Sequence, residues 1–434
     1  MKLFDSLSGK LVDFEKDKVS IYTCGPTVYS NIHIGNARPL ILTDVLRRYL
    51  EYKGSDVNFI MNITDIDDKI INKAFEENKT EEQITQTYID EFLMDLNNLN
   101  ILTPNQLVSV SKNIEIIKNF VMSLYESNNA YKTEDGIFFD IKKNKTEYGK
   151  ISKQKIDQLE VSSRKEINTK IKRSPQDFAI WKFTNKGIQW EFDLGKGRPG
   201  WHTECCAIID HFFKDTIDVH IGGVDLKFPH HENERIQFVA KNNKELSNIW
   251  LHNGSLNIKN EKMSKSLNNI ILVKDFVKSY SANTLKYLML KNNYSYPLNF
   301  SEKDIEDANK WVEKISTLFK KINILLVTEK FVESKKNFEN EFQKHMDNNL
   351  NTSLVISMVD EIIKQINKDI SKNIFVNDYI YLLNIIEILG FSFSTPKLEN
   401  EDLEKIKLWK AKIKLKDFKE ADKIREELIN KGIM

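Results

Sequence analysis

Residues 19–36 have the sequence VSIYTCGPTVYSNIHIGN, and this stretch decides the fold. Its first part is β-branched and aromatic, which predicts a buried strand. Gly25 and Pro26 then break the strand, and an apolar pattern of helical period follows over residues 42–50, before Gly54. In an open parallel sheet, such a turn lies at the carboxyl end of the strand, where nucleotides bind. The helix N-terminus there offers unpaired N–H groups to phosphate.

The composition predicts a soluble globular protein of two or three domains, since the chain has 434 residues, of which 41% are hydrophobic and 29% charged. A net charge of +1 does not by itself indicate a polyanion partner. The apolar runs are too short for a membrane span, and the N-terminus lacks a signal-peptide pattern. Three cysteines, two of them adjacent, do not make a disulfide framework. We therefore expect a cytoplasmic protein with no membrane partner.

The order of the predicted elements indicates the fold class. A second strand is predicted over residues 56–63 and an amphipathic helix over about 82–98, and this alternation predicts a parallel sheet with helical crossovers. Short strands and a Lys-rich stretch between about 113 and 195 indicate an insertion between two halves of one nucleotide-binding fold. The remainder is predicted to be helical, with amphipathic segments near 303–326, 338–370, 377–390 and 401–431. The predicted fold class is thus α/β, with a Rossmann-like parallel sheet split by an insertion and an all-α bundle after it.

Three aspartates, Asp65, Asp67 and Asp68, follow the second predicted strand. They can cap a helix, bind a cation or hold basic loops. Aspartate is a preferred N-cap residue, so we favour helix capping or surface solvation over catalysis.

A metal site is predicted from the distribution of histidine and cysteine. Five of the eight histidines and two of the three cysteines lie in one stretch, residues 202–231. Zinc favours thiolate and imidazole ligands, with occasional carboxylate. His230 and Glu234 are four residues apart and share one face if they are helical. The candidate thiolates are Cys24, Cys205 and Cys206. The alternative is a packed core in which the cysteines are small hydrophobes and the histidines form hydrogen bonds; for the set as a whole we favour a metal.

Six motifs occur in a fixed order along the chain. They are TCGPTVY (23–29), HIGN (33–36), NITDIDDK (62–69), GRPGWHTEC (197–205), FPHHENE (228–234) and KMSKS (262–266). Together they resemble the class I aminoacyl-tRNA synthetases and, within them, the bacterial-type cysteinyl-tRNA synthetases. The resemblance covers residues 1 to about 300, and the helical remainder fits the family more loosely.

The resemblance implies particular site residues. Residues 26–36 and 262–266 correspond to the two class signatures. One Zn²⁺ per chain is implied, with the ligands Cys24, Cys205, His230 and Glu234. His202, His220, His231 and Cys206 then surround these ligands or pack. The implied catalytic residues are His33, Asn36, Lys262 and Lys265; the further ATP contacts are Gly35, Gly223, Asp225 and Ser264; the substrate contacts are Gly25, Thr64 and Trp201. Mg²⁺ would accompany ATP. Across class I the first signature ends in a second histidine, and the amide of Asn36 can donate a similar hydrogen bond.

The resemblance also implies a function and a division into domains. The partners would be ATP, L-cysteine and tRNA(Cys), and a monomer is expected. The expected domains are 1–113 and 196–250 for the catalytic halves, 114–195 for the insertion, 251–304 for the second signature and stem contact, and 305–434 for tRNA and anticodon binding. A cysteine ligase acting on a small amine, such as a sugar amine, and a non-catalytic zinc-containing RNA-binding protein are the alternatives. Lysines over 405–419 favour a tRNA partner, although they also suit a solvated surface.

Overall fold

The computed structural model of the protein describes residues 1–154, 171–258, 261–262, 270–328, 338–372 and 376–434. For three predicted ATP contacts, the structure describes no side chain. Ser264 and Lys265 lie outside the described residues, and Lys262 is described only by its backbone.

The described strands are β1 (Lys2–Asp5), β2 (Lys10–Asp13), β3 (Lys18–Thr23), β4 (Asp56–Ile63), β5 (Gln106–Ser109), β6 (Ala130–Lys132), β7 (Gly136–Phe139), β8 (Phe178–Phe183), β9 (Gly197–Pro199), β10 (Ile217–Gly223), β11 (Ser247–Asn253), β12 (Leu256–Ile258), β13 (Glu261–Lys262) and β14 (Leu298–Phe300). The α-helices are α1 (Ile34–Tyr52), α2 (Asp68–Glu77), α3 (Glu81–Asn98), α4 (Ile114–Glu126), α5 (Trp201–Phe213), α6 (Glu232–Asn242), α7 (Val273–Ser279), α8 (Ala282–Leu290), α9 (Glu302–Thr328), α10 (Glu339–Asp347), α11 (Thr352–Asp369), α12 (Val376–Ile388), α13 (Asn400–Lys414) and α14 (Phe418–Asn430). None of these helices is both long and apolar enough to cross a membrane.

A five-stranded parallel sheet of order β11-β10-β3-β4-β5 forms the centre of the α/β part of the chain. The chain builds β3, β4 and β5 outward in one direction and then β10 and β11 outward in the other. This is the order of a doubly wound sheet, and it reverses between β3 and β10. Every residue of β10 is buried, as expected for a strand covered on both faces.

Helix α1 is the crossover between β3 and β4, as the sequence predicts. It packs between the sheet and the helices that follow in the chain, and Leu42, Val45 and Leu46 are all buried. The helix ends at Tyr52, and Gly54 follows with a φ of +93°, which a residue with a side chain rarely adopts.

A second, antiparallel sheet of order β6-β7-β8-β9 lies between the two halves of the central sheet in sequence. Its last strand, Gly197–Pro199, leads directly into α5. This insertion therefore sets the position at which Trp201 and Cys205 enter the structure.

Two smaller sheets complete the α/β part of the chain. The hairpin β1-β2 lies against β11, where the Ser6 N–H donates to the Trp250 carbonyl (3.0 Å) and the Trp250 N–H donates to Asp5 (3.0 Å). The other sheet has the order β13-β12-β14 and begins directly after β11.

The C-terminal part of the chain is helical, from α9 to α14. Two of the helical segments predicted from the sequence, 338–370 and 401–431, are each divided into two helices. Asn349 and Leu350, with φ values of 58° and 50°, separate α10 from α11, and Lys416, with a φ of 60°, lies between α13 and α14. Left-handed backbone cannot continue an α-helix, so the chain turns at both places. The α/β sheet, its insertion and the helical C-terminal part confirm the predicted fold class.

Replacing Leu46 by alanine is expected to lower the free energy of unfolding by about 3 kcal/mol, because a fully buried leucine leaves a cavity in the core. Urea unfolding followed by circular dichroism measures the change. Phe75→Ala is the control: its side chain is 85% exposed, so a change within about 0.5 kcal/mol is expected. Equal losses in the two variants would contradict the assignment of α1 to the core.

Candidate active site and metal centre

The candidate site lies where the strand order of the central sheet reverses. β3 and β10 are neighbours there, with Ile221 opposite Thr23. The turn after β3 carries Cys24 and Gly25, and the segment after β10 carries His230. In doubly wound sheets the crevice beyond these strand ends is the usual place for a ligand.

Gly25 is packed tightly against the neighbouring strand. A Cβ atom at this position would lie 1.8 Å from the carbonyl oxygen of Asn62. The Gly25 N–H donates to the side-chain oxygen Oδ1 of Asn62 at 2.8 Å, and the Tyr22 hydroxyl donates to the same Oδ1 at 3.0 Å. A side chain at this position would displace β4, so packing alone requires glycine here. Its predicted contact with the substrate remains a prediction.

Four predicted metal ligands converge although they come from distant parts of the chain. Cys24 follows β3, Cys205 lies on α5, and His230 and Glu234 lie just before and within the first turn of α6. One ligand atom from each residue lies within 4.8 Å of the other three. Three of the four side chains are buried and Cys24 is half-buried, so the cluster is most accessible on the Cys24 side.

The distances within this cluster suit a four-coordinate metal. Cys24 Sγ lies 3.4 Å from both His230 Nε2 and Glu234 Oε1, and Cys205 Sγ lies 3.8 Å from His230 Nε2. Neighbouring ligand atoms of a tetrahedral site with bonds of about 2.0–2.3 Å are about 3.3–3.8 Å apart. The contact of 2.7 Å between His230 and Glu234 is shorter, as expected for a direct ion pair.

Electrostatics keep two members of this cluster, Glu234 and His230, charged. Burial raises the pKa of the Glu234 carboxyl, but His230 and His220 outweigh burial and hold that pKa well below its usual range. Burial lowers the pKa of His230, whereas Glu234 and Cys205 raise it, to about 10. Burial raises the pKa of the Cys24 thiol. A carboxylate and thiols held together in a buried site are suited to a cation.

Residues around the cluster contact its members directly. His202 Nδ1 lies 2.9 Å from His230 Nδ1, and His220 Nε2 lies 3.0 Å from Glu234 Oε2. The Cys206 thiol donates to the main-chain carbonyl of Glu234 at 3.3 Å. These three contacts orient His230 and Glu234.

His231 connects the cluster to the N-terminal hairpin. Its Nδ1 lies 2.8 Å from His252 Nε2, and His252 Nδ1 lies 2.8 Å from the Ser6 hydroxyl. Burial lowers the pKa of His231 and His252 well below the usual range, so both rings are neutral. A second donor set, in which His220 and His231 replace Cys205 and His230, shares Cys24 and Glu234 with the first. The sequence resemblance favours the first set.

Trp201 forms one wall of the cluster. Its ring lies 4.3 Å from the His230 ring, at an interplanar angle of 31°. It is held at the start of α5 by Gly200, where a Cβ would lie 2.0 Å from the Ala179 carbonyl. Thr64 is buried nearby, and its hydroxyl donates to Glu204 at 3.1 Å. The predicted substrate contacts of Trp201 and Thr64 remain predictions.

The predicted nucleotide side of the site begins with a capping box. The Asn36 N–H donates to His33 Nδ1 at 3.2 Å, and the His33 N–H donates to Asn36 Oδ1 at 3.1 Å. In the neutral His33 ring the proton therefore lies on Nε2. Gly35 is the second residue of α1. The N-terminus of α1 thus carries N–H groups, an imidazole and an amide, all of which can donate to phosphate.

Residues 271–273, which follow the second class signature, are hydrogen-bonded to the first class signature. The Ile34 N–H donates to the Ile271 carbonyl at 3.0 Å, and the Val273 N–H donates to the Ile32 carbonyl at 3.0 Å. The chain that follows the second signature is therefore attached to the residues at the start of α1.

Gly223 ends β10, and Asp225 lies exposed in the turn that follows. A Cβ on Gly223 would lie 2.4 Å from the Asp225 carboxylate. The turn therefore brings this carboxylate over the strand end. The contact with ATP remains a prediction.

The three aspartates after β4 have structural partners. Asp67 caps α2 by accepting from the Lys69 N–H at 2.9 Å, and Asp65 accepts from the Ser111 N–H at 2.8 Å. Asp68 pairs with Arg198. Asp67 thus caps a helix as predicted, whereas Asp68 holds a basic side chain, which was one of the alternatives.

Sequence reasoning missed several residues that contact the site, namely Ser6, Glu204 and His252. Ser6 and His252 have no motif or spacing that marks them. Glu204 lies within the motif at residues 197–205, and its position next to Cys205 is the sequence feature that indicates a place near the site.

Comparison with known proteins extends over the whole chain. Residues 10–310 match the family model described as the tRNA synthetases class I (C) catalytic domain. The cysteine–tRNA ligase of Mesoplasma florum is 47% identical over 442 residues, and that of Mycoplasma mycoides subsp. mycoides is 48% identical over 443 residues; each alignment covers 100% of both chains. The LeuRS–tRNA–LeuAMS ternary complex of Agrobacterium radiobacter K84 has a similar fold, with a TM-score of 0.65 and 10% identity, over 86% of this chain and 83% of that one.

These findings confirm the resemblance predicted from the ordered motifs. The family match includes the central sheet, the insertion and the donor cluster. The full-length relatives extend it through the C-terminal helices. The chain therefore belongs to the cysteine–tRNA ligase family of class I tRNA synthetases.

Proposed function

We propose that this protein activates L-cysteine with ATP, giving cysteinyl-adenylate and pyrophosphate, and transfers the cysteinyl group to the terminal ribose of tRNA(Cys). One observation carries the proposal: a buried donor set of two thiols, an imidazole and a carboxylate lies at the strand-order reversal of a class I synthetase fold. The name of the full-length relatives supports the same substrate.

The donor set is suited to one zinc ion, held by Cys24, Cys205, His230 and Glu234. When bound, zinc would supply a position at which the sulfur of the substrate binds as thiolate. The half-buried Cys24 leaves the donor set accessible from the cleft. All three cysteines are free thiols, as metal binding requires, which supports a reducing cytoplasmic location.

The selection of cysteine over serine follows from the chemistry of these donors. The two amino acids differ by one atom, and a pocket that recognises only shape separates such analogues by ~1–3 kcal/mol. A serine hydroxyl is harder to ionise than a thiol and is a poorer ligand for a soft site. Trp201, stacked on His230, and the tightly packed Gly25 turn would confine the rest of the substrate.

The nucleotide is proposed to bind at the N-terminus of α1. The cysteine carboxylate attacks the α-phosphorus of ATP, and pyrophosphate leaves. Such a transfer depends on placement and charge neutralisation more than on covalent catalysis. His33 Nε2 and the Asn36 amide would donate hydrogen bonds to the phosphates as charge moves there.

The remaining ATP contacts come from the second signature and from β10. Lys262 and Lys265, together with Mg²⁺, would neutralise the β and γ phosphates, and Ser264 would contact them. Gly223 would allow close approach of the adenosine, and Asp225 would accept hydrogen bonds from the ribose hydroxyls.

The C-terminal helices are proposed to bind tRNA. Most charges of α13 form ion pairs: Lys405 with Glu427, Lys407 with Glu404, and Lys412 with Asp417. Such surface pairs contribute little to stability, so phosphates can replace the carboxylates. The lysines therefore remain available to a polyanion.

Charging of a tRNA(Cys) transcript with radiolabelled cysteine tests the proposal. Cysteinyl-tRNA is expected to form only when ATP, cysteine and this tRNA are all present. A transcript of another amino acid specificity is the control and is expected to stay uncharged. Cysteine-dependent pyrophosphate exchange without any charging would instead support a ligase that acts on a small amine.

Cys205→Ser tests the metal ligands, with Cys206→Ser as the matched control on the same helix. Replacing a residue that hydrogen-bonds to a metal ligand typically weakens metal binding ~10–100-fold. Loss of the ligand thiolate itself is therefore expected to weaken zinc binding by at least ~100-fold. Zinc per chain, measured by mass spectrometry after dialysis against a chelator, is expected to fall in the first variant only. Cys206 contacts a main-chain carbonyl that serine can also reach. Unchanged zinc in Cys205→Ser would contradict the assignment.

A further inference from the structure

Arg38 is a buried cation that the proposed mechanism does not yet use. It lies in the second turn of α1, and 2% of its surface is exposed. Its guanidinium donates to three main-chain carbonyls: Nη1 to Gly254 at 2.6 Å and to Ser255 at 3.0 Å, and Nη2 to Tyr296 at 2.9 Å. Within the described part of the chain, no carboxylate forms an ion pair with it. Burial lowers the pKa of Arg38 to about 10, and the side chain stays charged at neutral pH.

The three carbonyls belong to the junction between two sheets. Gly254 and Ser255 connect β11 of the central sheet to β12 of the small sheet, and Tyr296 lies just before β14. The two segments are pressed together, since a Cβ on Gly254 would lie 2.2 Å from the Tyr296 carbonyl oxygen. Three carbonyl oxygens thus converge on one point, and the guanidinium group donates a hydrogen bond to each of them.

This junction controls where the small sheet lies relative to the N-terminus of α1. Strand β13 of that sheet ends at Lys262, the first residue of the second signature. The chain returns to α1 at Ile271 and Val273, which are hydrogen-bonded to the first signature. The backbone on both sides of the second signature is therefore attached to one structural element, on one side through Arg38 and on the other through main-chain hydrogen bonds.

We propose that Arg38 is a positioning residue for adenylate formation. It fixes the small sheet, and with it the backbone of Lys262, relative to the phosphate-binding end of α1 that begins at His33. The inference rests on the proposed function. A lysine cannot reproduce this role, because one ammonium group lacks the planar fork that spans three carbonyls. The transfer of cysteine to tRNA involves no triphosphate, so it does not depend on this alignment.

The test compares Arg38→Lys and Arg38→Met with Arg47→Met, whose arginine lies on the same helix but pairs with Glu51 near the surface. Cysteine-dependent pyrophosphate exchange gives kcat and KM, and rapid mixing of tRNA with accumulated enzyme-bound adenylate gives the transfer rate. Small misplacements of a reacting group cost about 10²-fold in rate. We expect kcat of exchange to fall by roughly that factor in both Arg38 variants, with KM for cysteine, zinc content and the transfer rate within about two-fold of wild type. Arg47→Met is expected to behave as wild type.

Wild-type kcat in Arg38→Lys would overturn the inference while leaving the proposed function intact. A parallel loss of zinc, cysteine affinity and transfer rate would also overturn it, since that pattern indicates a purely structural role. If Arg38→Met does not fold, Arg38→Lys decides, because it keeps the charge. Absence of exchange in the wild-type protein would overturn the proposed function itself and the inference with it.

Discussion

The pairing of β10 with β3 is the constraint on which the whole site depends. These strands are far apart in sequence, yet their parallel register places Ile221 opposite Thr23, directly before Cys24. Gly222 is needed on β10 because a Cβ would lie 2.5 Å from the His231 ring. A slip of one residue would turn every side chain of β10 to the opposite face of the sheet and separate the donors. The donor set is therefore a property of the fold and not of any local motif.

The turn between β3 and α1 connects the two chemical halves of the site. Cys24 at its start belongs to the donor set, and His33 at its end caps the helix that is proposed to receive phosphate. Arg38 adds a connection to the small sheet from the same helix. One helix and the turn before it thus carry the residues that are proposed to contact the amino acid and the nucleotide.

Much of the fold follows from sequence periodicity alone. Two local sequence patterns predict a split parallel sheet, and the structure contains one. They are the strand–turn–helix order around Gly25 and the interruption after residue 113. The breaks at Asn349 and Lys416 were not predicted, since a single left-handed residue leaves the apolar period nearly unchanged. At the site, the histidine-rich stretch indicates a metal, but only the family resemblance selects Cys205 over Cys206. Ser6, Arg38 and His252 acquire their partners through tertiary structure, and no local pattern marks them.

The central claim is that the donor set, and not the shape of the pocket, selects the amino acid. Pyrophosphate exchange with cysteine and with serine, compared as kcat/KM in the zinc-loaded protein, tests it most directly. A pocket that recognises only shape gives a ratio of roughly 10–200, whereas a ligand-dependent site is expected to reach about 10⁴ or more. A ratio of about 10⁴ or higher for cysteine over serine is the predicted result. A ratio near 10², with zinc fully bound, would contradict the account.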